Sequence, residues 1–419
     1  MNQQIKSEKK GQAFLIFLCW LVYTVSYLGR YSYNANILSV MDEYGVDRAA
    51  AGLVGTFFFF SYGIGQIVNG IFCKKYEKQK VLTFALLVAA VLNLTVFFGV
   101  DFAVIKYLWL INGAVQSVLW SSLISVLGEY LEDGNIKKSV LVMSTCVVSG
   151  IALSYGLSSV FTLIGDYKLS FLLGAVSIFL VAIIWFISFG RYKKNTQKYV
   201  PKIAAPTIEK ESNAKRKAVK GSVIALICVL CVFAVFDNFV KDGLQTWVPD
   251  ILKSKFDLDN SLSTILTILL PVFGIFGTAV CVFAQKKVKN PILLNALFFG
   301  IIAVLIAVLM LVLDSSLLIL SVILLAVIYL FATGINNVLT SVAPLYLRNE
   351  IDAGFSSGII DGFCYAGSTI SAFGLGLVAD NGGWNVVFIL ILSVSIFAVL
   401  IGGIFYFILG RRKSNTNFE

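Results

Sequence analysis

Long apolar segments alternate with short polar stretches along nearly the whole chain. Most are close to the roughly 20 residues that an α-helix needs to cross a bilayer. The pattern predicts twelve membrane-spanning helices, called spans 1 to 12, and therefore an all-α membrane protein. Their expected ranges are 13–39, 51–73, 81–100, 103–128, 139–162, 169–190, 221–249, 262–285, 291–313, 317–342, 353–379 and 385–409.

One long hydrophilic segment interrupts this pattern between spans 6 and 7, with the sequence RYKKNTQKYVPKIAAPTIEKESNAKRKAVK. It is rich in lysine, contains two prolines and has little apolar surface to bury, which is typical of a linker. We expect an N-terminal six-helix half at 1–190, a cytoplasmic linker at 191–220 and a C-terminal six-helix half at 221–419.

The composition supports a membrane protein and argues against an enzyme. Hydrophobic residues make up 58% of the chain and charged residues 13%, whereas soluble proteins have about half and a quarter. The chain has no histidine, the commonest general base and a usual zinc ligand. We expect no catalytic residues, no metal and no cofactor.

The net charge of +10 reflects topology rather than nucleic-acid binding. In the predicted arrangement, 26 of the 33 basic residues lie on the side of the termini and linker. The excess of basic residues in cytoplasmic loops then places both termini and the linker in the cytoplasm. The expected location is the cell membrane, with lipids as surroundings.

Two basic residues remain inside the predicted spans, Arg30 in span 1 and Lys241 in span 7. An ionisable side chain at the centre of a span costs about 2.5–3.5 kcal/mol on insertion scales, so it normally faces a cavity or a partner. Each lies in the first span of its half, and a glycine, Gly63 or Gly274, lies 33 residues after it. Repeated halves with a site between them are typical of secondary transporters. Alternatively, either cation could form a structural ion pair or extend to the interface.

Polar residues at helical spacing continue these two positions into stripes. We expect spans 1, 4, 7 and 10 to line a central aqueous pathway. The stripes are Tyr23, Tyr27, Arg30 and Asn34 in span 1; Asn112, Gln116 and Trp120 in span 4; Asp237, Lys241 and Gln245 in span 7; and Tyr329, Thr333 and Asn337 in span 10. Spans 2 and 11 add Tyr62 with Gln66, and Asp361 with Tyr365 and Ser368.

Two cations surrounded by tyrosine hydroxyls suit a phosphate-bearing solute, whose oxygens accept charge-assisted hydrogen bonds. A carboxylate is the competing ligand. The acidic residues Asp237 and Asp361 could balance the cations if both were ionised. A buried aspartate could also couple transport to protons.

Three stretches resemble the organophosphate:phosphate antiporters of the major facilitator superfamily. They are YTVSYLGRYSYNANI in span 1, FVKDGLQTWVPDIL in span 7 and AGFSSGIIDGFCYAGS in span 11. The resemblance implies the major facilitator fold, with two pseudo-symmetric halves. It also implies that Arg30 and Lys241 stand where the family has two phosphate-binding arginines. The tyrosines match positions near the family's substrate pathway, and Gln66 stands where bacterial members often have lysine.

We therefore predict a monomeric secondary transporter that exchanges a sugar phosphate or glycerol phosphate for inorganic phosphate by alternating access. An empty site would leave both cations unpaired. The alternatives are a proton-coupled symporter of an organic anion such as a sugar acid, or a membrane sensor of sugar phosphates that does not transport. The expected substrate-binding residues are Arg30, Lys241, Tyr27, Tyr23, Tyr62, Gln66, Asn34, Trp120, Tyr329, Asn337 and Tyr365, with Asp237 and Asp361 for coupling or charge balance.

Overall fold

The computed structural model describes residues 2–72, 76–197, 221–313, 315, 317–347, 350–351 and 353–409. Helices account for nearly all of them, and no strand occurs within these ranges. In the N-terminal half, spans 1 and 5 are each broken into two helices, at Asn36 and Thr145. The helices of this half are α1 (Asn2–Ala35), α2 (Ile37–Tyr44), α3 (Arg48–Phe72), α4 (Lys78–Phe97), α5 (Phe102–Tyr130), α6 (Asp133–Ser144), α7 (Cys146–Leu163) and α8 (Leu169–Gln197).

The C-terminal half contains a similar set of helices. Span 8 is broken at residues 267–268, and span 10 ends in a π-helical turn at Val338–Val342. The helices are α9 (Gly221–Phe256), α10 (Asn260–Leu266), α11 (Leu269–Gln285), α12 (Pro291–Leu313), α13 (Leu318–Asn337), α14 (Ala343–Leu347) and α15 (Ala353–Leu409).

Helix α15 represents two spans. Its candidate membrane segment of 53 residues would be about 80 Å long as one helix, far more than the roughly 30 Å of a bilayer core. Gly383 breaks it with a left-handed φ of 73°, and divides it into limbs at 353–382 and 384–409. Eleven helices of the described chain are long and apolar enough to span a membrane, and the division at Gly383 makes twelve. The predicted all-α, twelve-span fold is confirmed.

Two faces of the molecule can be defined from the direction of these helices. The linker face is where α8 ends at Gln197 and α9 begins at Gly221, and the far face lies at the opposite ends of the helices. Helix α8 continues seven residues past the predicted end of the half at 190. Most of the expected linker, residues 198–220, lies outside the described residues.

The two halves pack together along α3 and the first limb of α15. A Cβ added at Gly52 would stand 2.1 Å from the carbonyl oxygen of Ala372, so only glycine permits this approach of the backbones. Next to it, Thr56 donates through Oγ1 to the carbonyl oxygen of Thr369 at 2.9 Å. Helix α7 forms a second contact of the halves, with α10 and α11.

Ion pairs join the halves across the far face. The guanidinium of Arg48 on α3 contacts Asp250 on α9 and Asp380 at the end of the first limb of α15. Lys253 Nζ on α9 lies 2.9 Å from a carboxylate oxygen of Asp42 on α2. A shallow cavity of about 320 Å³ lies among these side chains. Arg48 and Lys253 thus bind carboxylates of the opposite half.

The charge of Asp42 persists over the physiological range. Burial alone would raise its pKa, but hydrogen bonds from Asn260 and Lys253 lower it, and the net effect is a pKa below the ordinary value of 3.8. A carboxylate with a lowered pKa contributes stability above its unfolded value and loses it only as the pH falls through the lowered pKa. This contact therefore stays intact between about pH 5 and pH 8.

Candidate functional site

Arg30 lies in the membrane interior, surrounded by aromatic rings. Its Cζ atom is 4.5 Å from the ring centres of Tyr27 and Tyr62 and 5.7 Å from those of Tyr23 and Phe58. Contacts of a guanidinium with ring faces within about 6 Å are attractive. These four rings are called the aromatic cage. These rings stabilise the positively charged guanidinium, but they carry no negative charge and therefore do not neutralise it.

Amide side chains of α5 hold Arg30 in place. Arg30 Nε donates to Gln116 Oε1 at 3.3 Å, and Gln116 Nε2 donates to Asn112 Oδ1 at 2.8 Å. Asn112 Nδ2 in turn donates to the carbonyl oxygen of Gly29 at 3.1 Å, next to Arg30 on α1. Both amides are completely buried. The stripe predicted on span 4 thus orients the arginine.

One end of the guanidinium remains available to a ligand. Arg30 is 6% exposed, and its Nη2 atom has no hydrogen-bond partner among the residues that the structure describes. Among the described residues no carboxylate lies within ion-pair distance of it. A buried donor without a partner is costly, so an anion bound at Nη2 would remove that cost.

Around the cage, Gln66 Nε2 donates to the Tyr62 hydroxyl at 3.0 Å, and its Oε1 accepts from Ser121 Oγ at 3.0 Å. The ring of Trp120 lies 4.8 Å from that of Tyr23. Gln66 therefore supports Tyr62 from within α3, and Trp120 on α5 supports Tyr23 from a neighbouring helix.

Lys241 has a different environment from Arg30. Its Nζ donates to Asn238 Oδ1 at 3.2 Å and lies 3.7 Å from Asp242 Oδ1. Asp242 Oδ2 also accepts from Ser368 Oγ at 2.5 Å and from Asn238 Nδ2 at 3.3 Å. Asn336 Nδ2 adds a bond to Asn238 Oδ1 at 3.1 Å. These five residues are called the lysine network. The expectation that Lys241 is unpaired is wrong, because the adjacent Asp242 pairs with it.

The two predicted acidic residues lie beside this network. Asp237 is completely buried beside Asn336, and within the described part of the chain neither carboxylate oxygen has a partner at hydrogen-bond distance. Asp361 is partly exposed and makes no hydrogen bond to another described residue. Both interact electrostatically with Lys241 and Asp242. This side of the site holds three carboxylates and one ammonium group.

Tyrosines connect the aromatic cage with the lysine network. Tyr365 on α15 lies 4.8 Å from Tyr62 on α3, ring centre to ring centre, and Gly63 leaves the room for this contact. Tyr329 on α13 interacts electrostatically with Lys241 of its own half and with Tyr27 of the other. The cage and the network therefore face one cavity between the halves.

Exposure along the helices differs between the two sides of this cavity. Asn34 and Thr246, on the far-face side of Arg30 and Lys241, are buried and share a hydrogen bond of 3.1 Å. Gln66, Trp120 and Asp361 lie nearer the linker face, and each is partly exposed. The hydrogen bond of Asn34 and Thr246 thus joins the halves on the far-face side of this region, and the partly exposed side chains lie on its linker-face side.

Two predicted binding residues lie outside the cavity. Asn34 belongs to the contact that closes the far-face side. Asn337 Oδ1 accepts a hydrogen bond from Cys281 Sγ at 3.4 Å, so its side chain faces α11. The neighbouring Asn336 reaches the lysine network instead. Of the two asparagines at this end of span 10, Asn336 contacts the lysine network and Asn337, which the four-residue spacing selected, contacts α11.

Other residues of the site were missed. Asp242 and Asn238 escaped notice because residues one and three positions from Lys241 do not continue a four-residue stripe; the adjacent lysine and aspartate were the available signal. Tyr31, whose ring stacks on Tyr27 at 5.4 Å, was also missed, although it lies four residues after Tyr27 and continues the spacing of Tyr23 and Tyr27. Within the described residues no three His, Cys, Asp or Glu side chains lie close enough together to hold a metal ion.

Known proteins resemble the chain in sequence and fold. The family model of the Major Facilitator Superfamily matches residues 19–351. A protein described as a probable hexose phosphate transport protein of Chlamydia trachomatis is 21% identical, covering 94% of this chain and 91% of its own. The sugar phosphate exchanger 3 of Bos taurus is 26% identical over 80% of this chain and 76% of its own.

A solved structure agrees with these matches. The crystal structure of a bacterial homologue of the human lysosomal transporter Spinster, in an inward-facing and unoccupied conformation, superposes with a TM-score of 0.74 at 13% identity. The alignment covers 98% of this chain and 99% of that one. The relatives agree with the resemblance to organophosphate:phosphate antiporters, and the chain belongs to the Major Facilitator Superfamily of multi-pass membrane transporters.

Proposed function

We propose that the chain exchanges a small phosphorylated metabolite, a sugar phosphate or glycerol phosphate, for inorganic phosphate by alternating access. The observation that carries this proposal is the buried Arg30 guanidinium with its free Nη2 atom and no carboxylate nearby among the described residues. A phosphate oxygen can accept a charge-assisted hydrogen bond there. The names of the two relatives support the same class of substrate.

Alternating access has a physical basis in the two ends of the cavity. The far face is closed by ion pairs such as Arg48 with Asp250, which must separate when the halves rock. An empty cavity leaves Arg30 without a counterion, so closing it on both sides is costly. A bound phosphate lowers that cost, and the loaded carrier should change orientation more readily than the empty one.

The orientation in the membrane follows from the distribution of basic residues. We place the linker face in the cytoplasm of the cell, with both termini, because basic residues concentrate there. The boundaries of the halves at 190 and 220 and a monomeric functional unit belong to the same proposal.

The test is uptake into proteoliposomes with and without internal phosphate. Vesicles loaded with phosphate should accumulate labelled glucose 6-phosphate or glycerol 3-phosphate, and empty vesicles should not. Vesicles with the Arg30→Lys variant serve as the control for Arg30-dependent exchange. Uptake that needs no internal phosphate but stops with a proton ionophore would contradict exchange. Saturable binding without flux would favour the sensor.

A second function, proton-coupled symport of a sugar acid, is favoured by Asp237. Its buried carboxylate has no hydrogen-bond partner among the described residues. Ionised carboxylates in that setting are costly, so a proton could bind there during the cycle. Replacing Asp237 with Asn should abolish proton-driven accumulation of a symporter but leave counterflow. The far-face contact of Asp42 with Lys253 does not complicate this test, since Asp42 keeps its charge between about pH 5 and pH 8.

A further inference from the structure

The charges around the two cations of the cavity are not equivalent. Arg30 has no carboxylate within ion-pair distance among the described residues, whereas Lys241 is paired with Asp242 and lies near Asp237 and Asp361. A phosphate placed beside Lys241 would meet three acidic groups. Repulsion between like charges is strong where water is excluded. The C-terminal side of the cavity is therefore a poor place for a phosphate.

That same side offers free hydrogen-bonding capacity. The carboxylate of Asp361 makes no hydrogen bond to another described residue and is partly exposed. Asn336 donates through Nδ2 to Asn238, and its side-chain oxygen Oδ1 accepts no hydrogen bond from another described residue. The hydroxyl of Tyr329, a residue 7% exposed, makes no hydrogen bond there either. All three lie beside the Lys241 and Asp242 pair.

These groups match the chemistry of hydroxyl groups. A carboxylate and an amide oxygen accept from an O–H donor, and a phenol can either donate or accept. Bonds to an ionised carboxylate are stronger than bonds between neutral groups. An uncharged, hydroxylated carbon skeleton therefore suits this side of the cavity.

We propose that the substrate lies across the cavity in one orientation, with its phosphate at Arg30 and the hydroxyl groups of its organic part at Asp361, Asn336 and Tyr329. This inference rests on the proposed function and adds to it the chemistry of the organic part, a polyhydroxylated chain or ring. Inorganic phosphate occupies only the Arg30 end. The two exchanged solutes share Arg30 and differ in their use of Asp361.

The test compares two exchange reactions in the same proteoliposomes. One is phosphate against phosphate, and the other is internal phosphate against external glucose 6-phosphate. In the Asp361→Asn and Asn336→Ala variants we expect glucose 6-phosphate exchange to fall at least tenfold while phosphate exchange stays within threefold. Asn337→Ala is the matched control, because Asn337 bonds to Cys281 outside the cavity, and it should leave both reactions within threefold.

An equal fall of both reactions in Asp361→Asn and Asn336→Ala, or no change in either, would overturn the inference. Thermal stabilisation by inorganic phosphate, kept in both variants, would show an intact Arg30 end. Absence of phosphate exchange in the unsubstituted chain would instead contradict the proposed function itself.

The unsubstituted chain provides a test that does not depend on folding of a variant. The experiment compares glucose 6-phosphate with its deoxy analogues as competitive inhibitors of phosphate exchange. An analogue that lacks a hydroxyl group bound by the protein should inhibit at least fivefold more weakly than glucose 6-phosphate. At least one position of the ring should show this effect. Equal inhibition by every deoxy analogue would contradict binding of hydroxyl groups by the C-terminal half.

Discussion

The aromatic cage and the lysine network hold a cation at corresponding positions of the two halves, but they treat it in opposite ways. Four rings and an amide surround Arg30 and leave its charge available. Asp242 neutralises Lys241, and Asn238 fixes both. Symmetric positions in the sequence thus do not imply symmetric roles. In our proposal one half provides the anion site, and the other provides a polar surface with little net attraction for anions.

The largest effect should come from Arg30→Lys. A lysine keeps the charge but loses the planar fork and the stacking against Tyr27 and Tyr62. We expect phosphate exchange and sugar phosphate exchange to fall at least 100-fold, with normal amounts of protein in the membrane. Arg191→Lys, at an exposed position on α8, is the control. Uptake like that of the unsubstituted chain would show that Arg30 does not bind the phosphate.

Lys241 should show a large effect that a second substitution reverses. Lys241→Gln leaves Asp242 as an uncompensated buried charge, and breaking a buried pair costs about 3–5 kcal/mol. We expect phosphate exchange by this variant to fall more than tenfold. The double variant Lys241→Gln and Asp242→Asn removes both charges and should recover to within about threefold. A double variant as inactive as the single one would make Lys241 a direct ligand.

Gln116 should have an intermediate effect, because it positions Arg30. In Gln116→Ala the guanidinium loses its bond from Nε, and a hydrogen bond to a charged group contributes about 1.5–3 kcal/mol. We expect the KM for phosphate to rise about tenfold with little change in the maximal rate. Ser117→Ala removes a bond within α5 and serves as the control. An unchanged KM in Gln116→Ala would mean that the cage alone orients Arg30.

The smallest change in transport should come from the far face. Arg48→Gln removes the contacts with Asp250 and Asp380 and should favour the conformation open at that face. We expect transport within about threefold. Labelling of a Ser261→Cys variant by an impermeant maleimide should become several times faster, since Ser261 is bonded to Ser159 across the halves. Unchanged labelling would show that these ion pairs do not control opening.

Much of the fold could be predicted from sequence, because each span must be about 20 apolar residues long. The break of α15 at Gly383 was predicted as well, because the polar and glycine residues at 380–383 separate spans 11 and 12. The exceptions are local. The π-helical turn at Val338–Val342 directly follows Asn336 and Asn337, and nothing in the residue pattern marks it. Turns of this kind often occur at functional sites.

The site was predictable to the extent that polar residues form stripes. Tyr23, Tyr27 and Arg30 follow a helical period in span 1, and Tyr62 was selected from a polar pair in span 2. Phe58, the fourth ring of the cage, carries no polar signal and was not predicted. The lysine network depends on Asp242, which is adjacent to Lys241 in the sequence and reaches it only through flexible side chains. Asn34 and Asn337 have the spacing of cavity residues, but the tilt and packing of their helices direct them to Thr246 and Cys281. Periodicity predicts which residues share one face of a helix, but it does not predict which other helix packs against that face.

The most direct measurement of the central claim is the affinity of the purified chain for radiolabelled inorganic phosphate. It compares the unsubstituted chain, the Arg30→Lys variant and the double variant Lys241→Gln and Asp242→Asn. With the aromatic cage as the anion site, we expect the Kd for phosphate to rise at least tenfold in Arg30→Lys. The Kd of the double variant should stay within threefold of that of the unsubstituted chain. Binding that persists without Arg30 and is lost in the double variant would place the phosphate on the C-terminal half and contradict the account.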